Sequence, residues 1–260
     1  MRKIFIFVVV LSFVVGISQV FADSVLIQDT TVGAGVPSPS GLNTFYNNNG
    51  VASTIIADGA TITGADLAGK NLFVGYEPSA GYLASEITAF SGFLAGGGRI
   101  LFMGENGSLM FQPTNNAISA AISALGGTMA SDNNSYDGAG FHDATVGNGQ
   151  ILPNPLTAGV NTLNYGAPSG ITGSGSKFFL TTDLIHVFGE SEGIGLGSIV
   201  FVSDSNLLDN LGLPSNDNGQ FFLNLVGGGV SPIPVTDHLD SCWVCIDWSL
   251  GIQEDVHEVN

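Results

Sequence analysis

The chain has 260 residues, of which 44% are hydrophobic and 10% are charged, and its formal net charge is −17 at pH 7. This length and apolar content suffice for one large domain with a buried core, and they argue against global disorder and against a coiled coil. Because so negative a chain repels phosphates and anionic lipid headgroups, the composition disfavours nucleic-acid binding and electrostatic membrane docking.

The first 22 residues have the pattern of a signal peptide. Arg2 and Lys3 precede an apolar run at 4–15, and residues 20–22 (Val-Phe-Ala) end in the small residue that signal peptidase needs. Cleavage there takes the formal charge from −17 to −19 and leaves no membrane span. The alternative is an uncleaved anchor, since the segment is just long enough to cross a bilayer. We expect a secreted or periplasmic protein, with attachment to the cell surface left open.

Strand and helix signals alternate along the mature chain. β-rich apolar runs predict strands at residues 24–29, 51–56, 71–76, 99–103, 177–182 and 198–202. Apolar side chains at helical spacing predict helices that carry Leu42, Phe45 and Tyr46; Leu83, Ile87, Phe90 and Leu94; Ile118, Ile122 and Leu125; and Phe221, Phe222 and Leu225. Ser85 is the expected cap of the second helix, and Asp217 or Asn218 that of the last.

This alternation predicts an α/β fold with a mainly parallel sheet covered on both faces. Residues 131–176 break the rhythm with many Gly, Asn and Pro residues, and we interpret them as a Gly/Asn-rich insertion or small β excursion. The predicted organisation is a signal peptide at 1–22, an α/β domain at 23–229, and a linker with a loosely packed tail at 230–260.

Two segments of the α/β domain carry a family resemblance. The stretch NLFVGYEPSAGYLASEITAFSGFLAGGGRILFMGE at 71–105 resembles the class I glutamine amidotransferase-like superfamily. The stretches at 197–226 and 154–160 are similar to its non-catalytic branch of gliding-motility accessory proteins and ciliary transport scaffolds. The resemblance covers residues 24 to 229 and implies a flavodoxin-like three-layer sandwich.

The chain departs from the catalytic members of this family at the nucleophile. Those members hold a Cys in a Gly-x-Cys-x-Gly turn between strand and helix, whereas the nearest register here is residues 104–108, with Asn106 in the nucleophile position. Amidotransferase activity is therefore disfavoured. A substitute triad of Ser108, His142 and Asp143 is formally available, but the spacing does not support it.

Four predicted strands are followed by acids, and this suggests a second kind of site. In an open parallel sheet the ligand site lies beyond the carboxyl ends of the strands, where we place Asp29, Glu77, Glu105 and Asp204. Such an acidic rim would bind Ca²⁺ or sugar hydroxyls, with neutral oxygens added by Asn106, Ser205 and Asn206. The alternative is that each acid caps the helix after its strand.

The two cysteines, Cys242 and Cys245, lie together in the tail. In an oxidising compartment a local disulfide is the simplest interpretation. A reduced pair, an intermolecular link or a zinc cluster with His238 and His257 are the alternatives.

Three functions remain open from the sequence. The leading one is an exported, non-catalytic binding or scaffold module at the bacterial cell envelope, with a protein or glycan partner. The second is an extracellular hydrolase that uses the acidic rim, which needs a carboxylate pair at glycosidase spacing. The third is a surface-structural protein.

Overall fold

The structure is a computed structural model, and it describes residues 24–29, 39–57, 59–76, 78, 80–208, 213 and 215–227. The predicted signal peptide, Glu77, and the tail with Cys242 and Cys245 lie outside the described residues. The interpretations of those segments therefore stay predictions.

Strands and helices alternate in the first half of the described chain, and strands dominate the second half. The strands are β1 (Ser24–Gln28), β2 (Ala52–Ile56), β3 (Leu72–Tyr76), β4 (Arg99–Met103), β5 (Ala130–Ser135), β6 (His142–Thr145), β7 (Thr162–Tyr165), β8 (Ser169–Thr172), β9 (Ser176–Leu180), β10 (Val187–Ile194) and β11 (Gly197–Val202). The helices are α1 (Ser40–Asn48), α2 (Gly64–Leu67), α3 (Ala84–Ala95), α4 (Gln112–Ala124) and α5 (Asn218–Gly227).

Nine of these strands form one mixed sheet in the order β2-β1-β3-β4-β11-β10-β8-β5, with β9 paired to β10. β2, β1, β3, β4 and β11 pair in parallel, and the pairings beyond β11 are antiparallel. The insertion contributes β5 and β8 to this sheet and also forms a separate β6–β7 hairpin. The predicted α/β, flavodoxin-like three-layer class is confirmed.

The core has two layers because successive strand residues point to opposite faces of the sheet. In β3, Leu72 and Val74 pack on the side of α1 and α5, whereas Phe73 packs on the side of α3 and α4. The central side chains are almost completely buried, and each contributes roughly 1.5–3 kcal/mol of burial free energy. The two helix layers therefore hold the sheet from both sides, and the order of its strands determines which loops lie next to one another at its edges.

The expected cap of α3 was wrong, whereas α5 begins at the predicted position. Ser85 lies inside α3 and Leu83 is its N-cap; the carboxylate of Glu86 accepts the backbone N–H of Leu83 at 2.8 Å and that of Ile62 at 2.9 Å. Asp217 directly precedes α5 and its carbonyl accepts the N–H of Phe221 at 3.2 Å, while its carboxylate accepts the N–H groups of Asn161 and Thr162.

None of the helices in the described residues combines the length with the apolar character that a membrane span requires.

Candidate functional site

The predicted rim brings two acids together at the carboxyl edge of the sheet. Glu105 follows β4 and Asp204 follows β11, and these strands are direct parallel neighbours, with Met103 opposite Val202. Both carboxyl groups are buried, Glu105 with 4% and Asp204 with 0% of its surface exposed. The topology argument therefore places these two acids correctly, although in the interior and not on an open surface.

Glu105 is satisfied by two of the predicted neutral residues. Ser205 Oγ donates to Glu105 Oε2, while the backbone N and the Nδ2 of Asn106 donate to Glu105 Oε1 at 3.0 and 2.9 Å. Both residues therefore serve the carboxylate as hydrogen-bond donors.

Asp204 is held by backbone N–H groups. Gly166 N donates to Asp204 Oδ2 at 2.6 Å, and Asn206 N donates to Oδ1 at 3.0 Å, across the start of the 3₁₀ turn Ser205–Leu208. The capping alternative thus describes this acid well. Burial, and next the negative charge of Glu105, raise the pKa of Asp204 to about 7, although the N–H groups of Gly166 and Asn206 act in the opposite direction.

The other two rim acids do not complete a cluster in the described part of the chain. Asp29 follows β1, which is separated from β4 by β3, so two strand spacings of roughly 5 Å each lie between the strand ends that carry Asp29 and Glu105. Glu77 lies outside the described residues. No group of three or more His, Cys, Asp or Glu side chains in the described residues is arranged to hold a metal. Calcium binding at this rim stays a prediction.

The loop after β4 is not a nucleophile elbow. None of residues 104–108 has a positive φ, and α4 begins only at Gln112, so the sharp strand-to-helix turn that presents a nucleophile is missing. Asn106 is instead tied inward, because its Oδ1 accepts the N–H of Ser108 at 3.0 Å and its Nδ2 donates to Glu105.

The buried side chain of Asn115, on α4, fastens this loop. Its Oδ1 accepts the N–H of Glu105 at 3.0 Å, and its Nδ2 donates to the carbonyls of Glu105 and Asn106 at 2.9 and 3.3 Å. Sequence reasoning missed this residue, because one Asn in a helix that also carries Asn116 gives no sign of facing inward.

The substitute triad is not assembled. His142 and Asp143 are consecutive residues of β6, so their side chains point to opposite faces and Asp143 does not orient the imidazole. Asp143 Oδ1 instead accepts from the side-chain amides of Asn164 and Asn216 at 2.8 and 2.9 Å. The Nε2 of His142 is buried and has no hydrogen-bond partner in the part of the chain that the structure describes.

Loops of the insertion join the same edge of the sheet. Asp137, which has a positive φ of 62°, accepts the hydroxyl of Tyr165 at 2.7 Å and the N–H of Thr182 at 3.1 Å. The rings of Tyr136 and His186 stack with centroids 3.8 Å apart. These contacts join the loop at 136–141 to the loop at 181–186.

These loops expose large apolar side chains. We call the set formed by Leu109, Met110, Phe141, Leu184 and Ile185 the apolar rim. Leu109 is 84% and Ile185 is 74% exposed. The loop that carries Leu109 and Met110 contacts the end of β5, since Gly107 N donates to Ser135 Oγ at 2.9 Å. Exposed apolar side chains gathered on adjoining loops are typical of protein interaction sites. Sequence reasoning missed this feature, because isolated apolar residues in loops have no period.

Comparison with known proteins finds matches among solved structures. No protein-family model matches the chain, and no curated protein matches it. The N-terminal domain of mmIFT52 is 16% identical with a TM-score of 0.57, covering 78% of this chain and 95% of that domain. The cytoplasmic protein STM1381 from Salmonella typhimurium LT2 is 10% identical with a TM-score of 0.55, covering 78% of this chain and 98% of that protein.

A second cytoplasmic protein, STM3548 from Salmonella typhimurium, is 11% identical with a TM-score of 0.52 and again covers 78% of this chain. At these identities the likeness is one of fold. The chain therefore shares the α/β fold of these three structures, as the flavodoxin-like class predicted from the sequence requires.

Proposed function

We propose that the chain is a non-catalytic binding or scaffold module, exported to the bacterial cell envelope, which holds a protein partner through the apolar rim. The observation that carries this proposal is the exposure of Leu109 and Ile185 on loops that are themselves firmly tied to the sheet edge. A preordered apolar surface loses less conformational entropy on binding a protein than a flexible surface does.

The chemistry of the edge argues against the hydrolase alternative. Glu105 and Asp204 are buried and hydrogen-bonded to the protein's own donors, so they offer no oxygen to a glycosidic bond. Asn106, in the nucleophile position, is a poor nucleophile. The family resemblance, which implies a scaffold use of the fold, supports the same conclusion.

The charge of the chain supports a protein partner with a basic surface around an apolar patch. With 22 acidic against 5 basic side chains, such a partner is attracted at long range, and the rim then supplies the short-range burial. The signal-like residues 1–22 support an envelope location for this encounter.

The test compares substitutions of exposed leucine and isoleucine residues inside the apolar rim with one outside it. The mature chain is immobilised and exposed to envelope extract, and bound proteins are identified for the unmodified chain, for the double variant Leu109→Ser, Ile185→Ser, and for Leu196→Ser. Leu196 is a matched control, since it is 71% exposed in the turn between β10 and β11, away from the rim.

We expect one partner that the unmodified chain and the Leu196→Ser variant retain and that the double variant loses by at least tenfold in affinity. Loss of about 1.4 kcal/mol of binding free energy gives this factor. Equal retention by all three chains would contradict the proposal. Binding on a glycan array that the double variant leaves unchanged would favour a carbohydrate ligand instead.

A further inference from the structure

A second buried carboxylate, remote from the rim, lacks a partner on one oxygen. Glu190, in β10, has no exposed surface; its Oε1 accepts the N–H of Gly175 at 2.6 Å, whereas its Oε2 has no hydrogen-bond partner among the described residues. Lys177 stands opposite Glu190 on β9 and attracts it electrostatically, but no Lys or Arg nitrogen of the described residues lies within 4.0 Å of it. A buried carboxylate without a contacting counter-charge or a full set of donors is costly.

A second acid lies on the same face of the strand. Glu192 is two residues further along β10, where side chains return to the same side of the sheet. It accepts the N–H of Thr128 at 2.7 Å and also the hydroxyl of Thr128, whose oxygen lies 3.0 Å from Ser174 Oγ. Two carboxylates and two hydroxyl oxygens are thus gathered beside β10.

Glycines let two loops close over these oxygens. A Cβ at Gly173 would lie 2.6 Å from Glu190 Oε1, and a Cβ at Gly127 would lie 2.7 Å from Glu192 Oε2. A side chain at either position would have to push the carboxylate aside. The loop after α4 and the loop between β8 and β9 therefore pass directly against the two carboxylates.

We propose that Glu190 and Glu192, with the hydroxyls of Thr128 and Ser174, bind one Ca²⁺ ion. A hard divalent cation supplies a positive charge in direct contact, which Lys177 on β9 does not, and gives Glu190 Oε2 a partner. Ca²⁺ accepts six to eight oxygens in irregular geometry, and backbone carbonyls or water complete such a shell. The pair Glu105 and Asp204 is a weaker candidate, because Ser205, Asn106, Gly166 and Asn206 donate to all four of its oxygens, whereas Glu190 Oε2 accepts no hydrogen bond from the described residues.

The experiment is calorimetric titration of the full mature chain with CaCl₂, combined with thermal melting in EDTA. We expect one ion per chain with a dissociation constant of about 0.1–1 mM, the range of extracellular calcium modules. Glu190→Gln and Glu192→Gln should each weaken binding at least tenfold. Glu105→Gln, the same change at another buried carboxyl group, should leave the affinity unaltered.

Two results would overturn the proposal. One is the absence of saturable binding up to about 10 mM CaCl₂, well above the expected range. The other is binding that Glu105→Gln abolishes while Glu190→Gln does not, which would assign the ion to the sheet edge. If Glu190→Gln fails to fold by far-UV circular dichroism, Thr128→Val and Ser174→Ala replace it, and an unchanged affinity in both would also refute the site.

Discussion

At the scale of single residues, the loop after β4 uses its polar side chains to hold its own conformation. Glu105 and Asn106 direct their side chains into a hydrogen-bond network shared with Ser205 and with Asn115 of α4. Each donor in that network satisfies a group that burial would otherwise leave unpaired. The polar side chains of the loop therefore hold the loop in place.

Asn115 is the residue of this network whose removal should cost most. Asn115→Ala leaves the N–H and the carbonyl of Glu105 buried without their partner, so we expect a loss of about 3 kcal/mol in the free energy of unfolding. Asn116→Ala, at the exposed neighbouring position, should change it by less than about 0.5 kcal/mol. Urea denaturation of the two variants checks this, and equal effects would show that the network contributes little.

The buried carboxyl group of Asp204 should make stability depend on pH. The pKa of Asp204 rises from 3.8 to about 7 on folding, so between these values the folded state keeps a proton that the unfolded state releases. Its contribution to stability is present in full below pH 3.8 and is lost as the pH rises through about 7.

Asp204→Asn tests this, because it removes the titration. As the pH rises across that window, the free energy of unfolding of the unmodified chain should fall relative to that of the variant by up to about 1.4 kcal/mol per pH unit. Asp66→Asn is the control: hydrogen bonds from Thr63 lower the pKa of Asp66, so it stays ionised through most of the window. A difference for Asp204→Asn that is constant with pH would refute the assignment.

At the scale of elements, α5 depends on two side chains from distant parts of the chain. Arg99, at the start of β4, donates through Nη1 to the carbonyl of Leu225 at 2.5 Å and through Nε to Ser198 Oγ at 3.1 Å. Tyr46, at the end of α1, donates to the carbonyl of Phe222 at 2.9 Å. The last turns of α5 are thus joined to the sheet and to α1 by polar contacts as well as by packing.

Arg99→Met should loosen this helix. The variant keeps the apolar stem but removes charged donors from carbonyls near the helix end, and we expect a loss of about 2 kcal/mol in unfolding free energy. Lys70→Met is a control for charge, since the hydrogen bond that Lys70 Nζ makes within the described residues goes to Ser24 Oγ at 3.2 Å. Hydrogen exchange should show faster exchange in α5 for Arg99→Met alone; protection equal to that of the control would contradict this role.

Elements with a strong apolar period could be predicted from the sequence, and the others could not. α3 and α4 follow the spacing of Phe90 and Leu94 and of Ile118 and Ile122. α2 was missed because four residues are too few to show a period. β10 was missed because Glu190 stands at a buried position, where alternation leads one to expect an apolar side chain.

At the scale of the whole molecule, the sequence predicted the layers but not the order of the strands. The alternation of elements indicated a parallel sheet, yet nothing local shows that β11 pairs with β4 or that β10 reverses direction. The same gap limits the site: the neighbours Glu105 and Asp204 were predicted together, but so was Asp29, which lies two strands away. The apolar rim depends on loop placement, which only the tertiary structure supplies.

The position of β11 has a consequence for how the molecule is made. β4 ends at Met103, and the strand that completes its hydrogen bonding begins only at Gly197, near the end of the described chain. A nascent polypeptide that ends before Gly197 lacks the strand that pairs with β4, and it exposes the apolar surfaces of its central strands to water. This part of the core therefore cannot close until Gly197–Val202 has been synthesised, so the apolar strands before it stay exposed through most of the synthesis of the described residues.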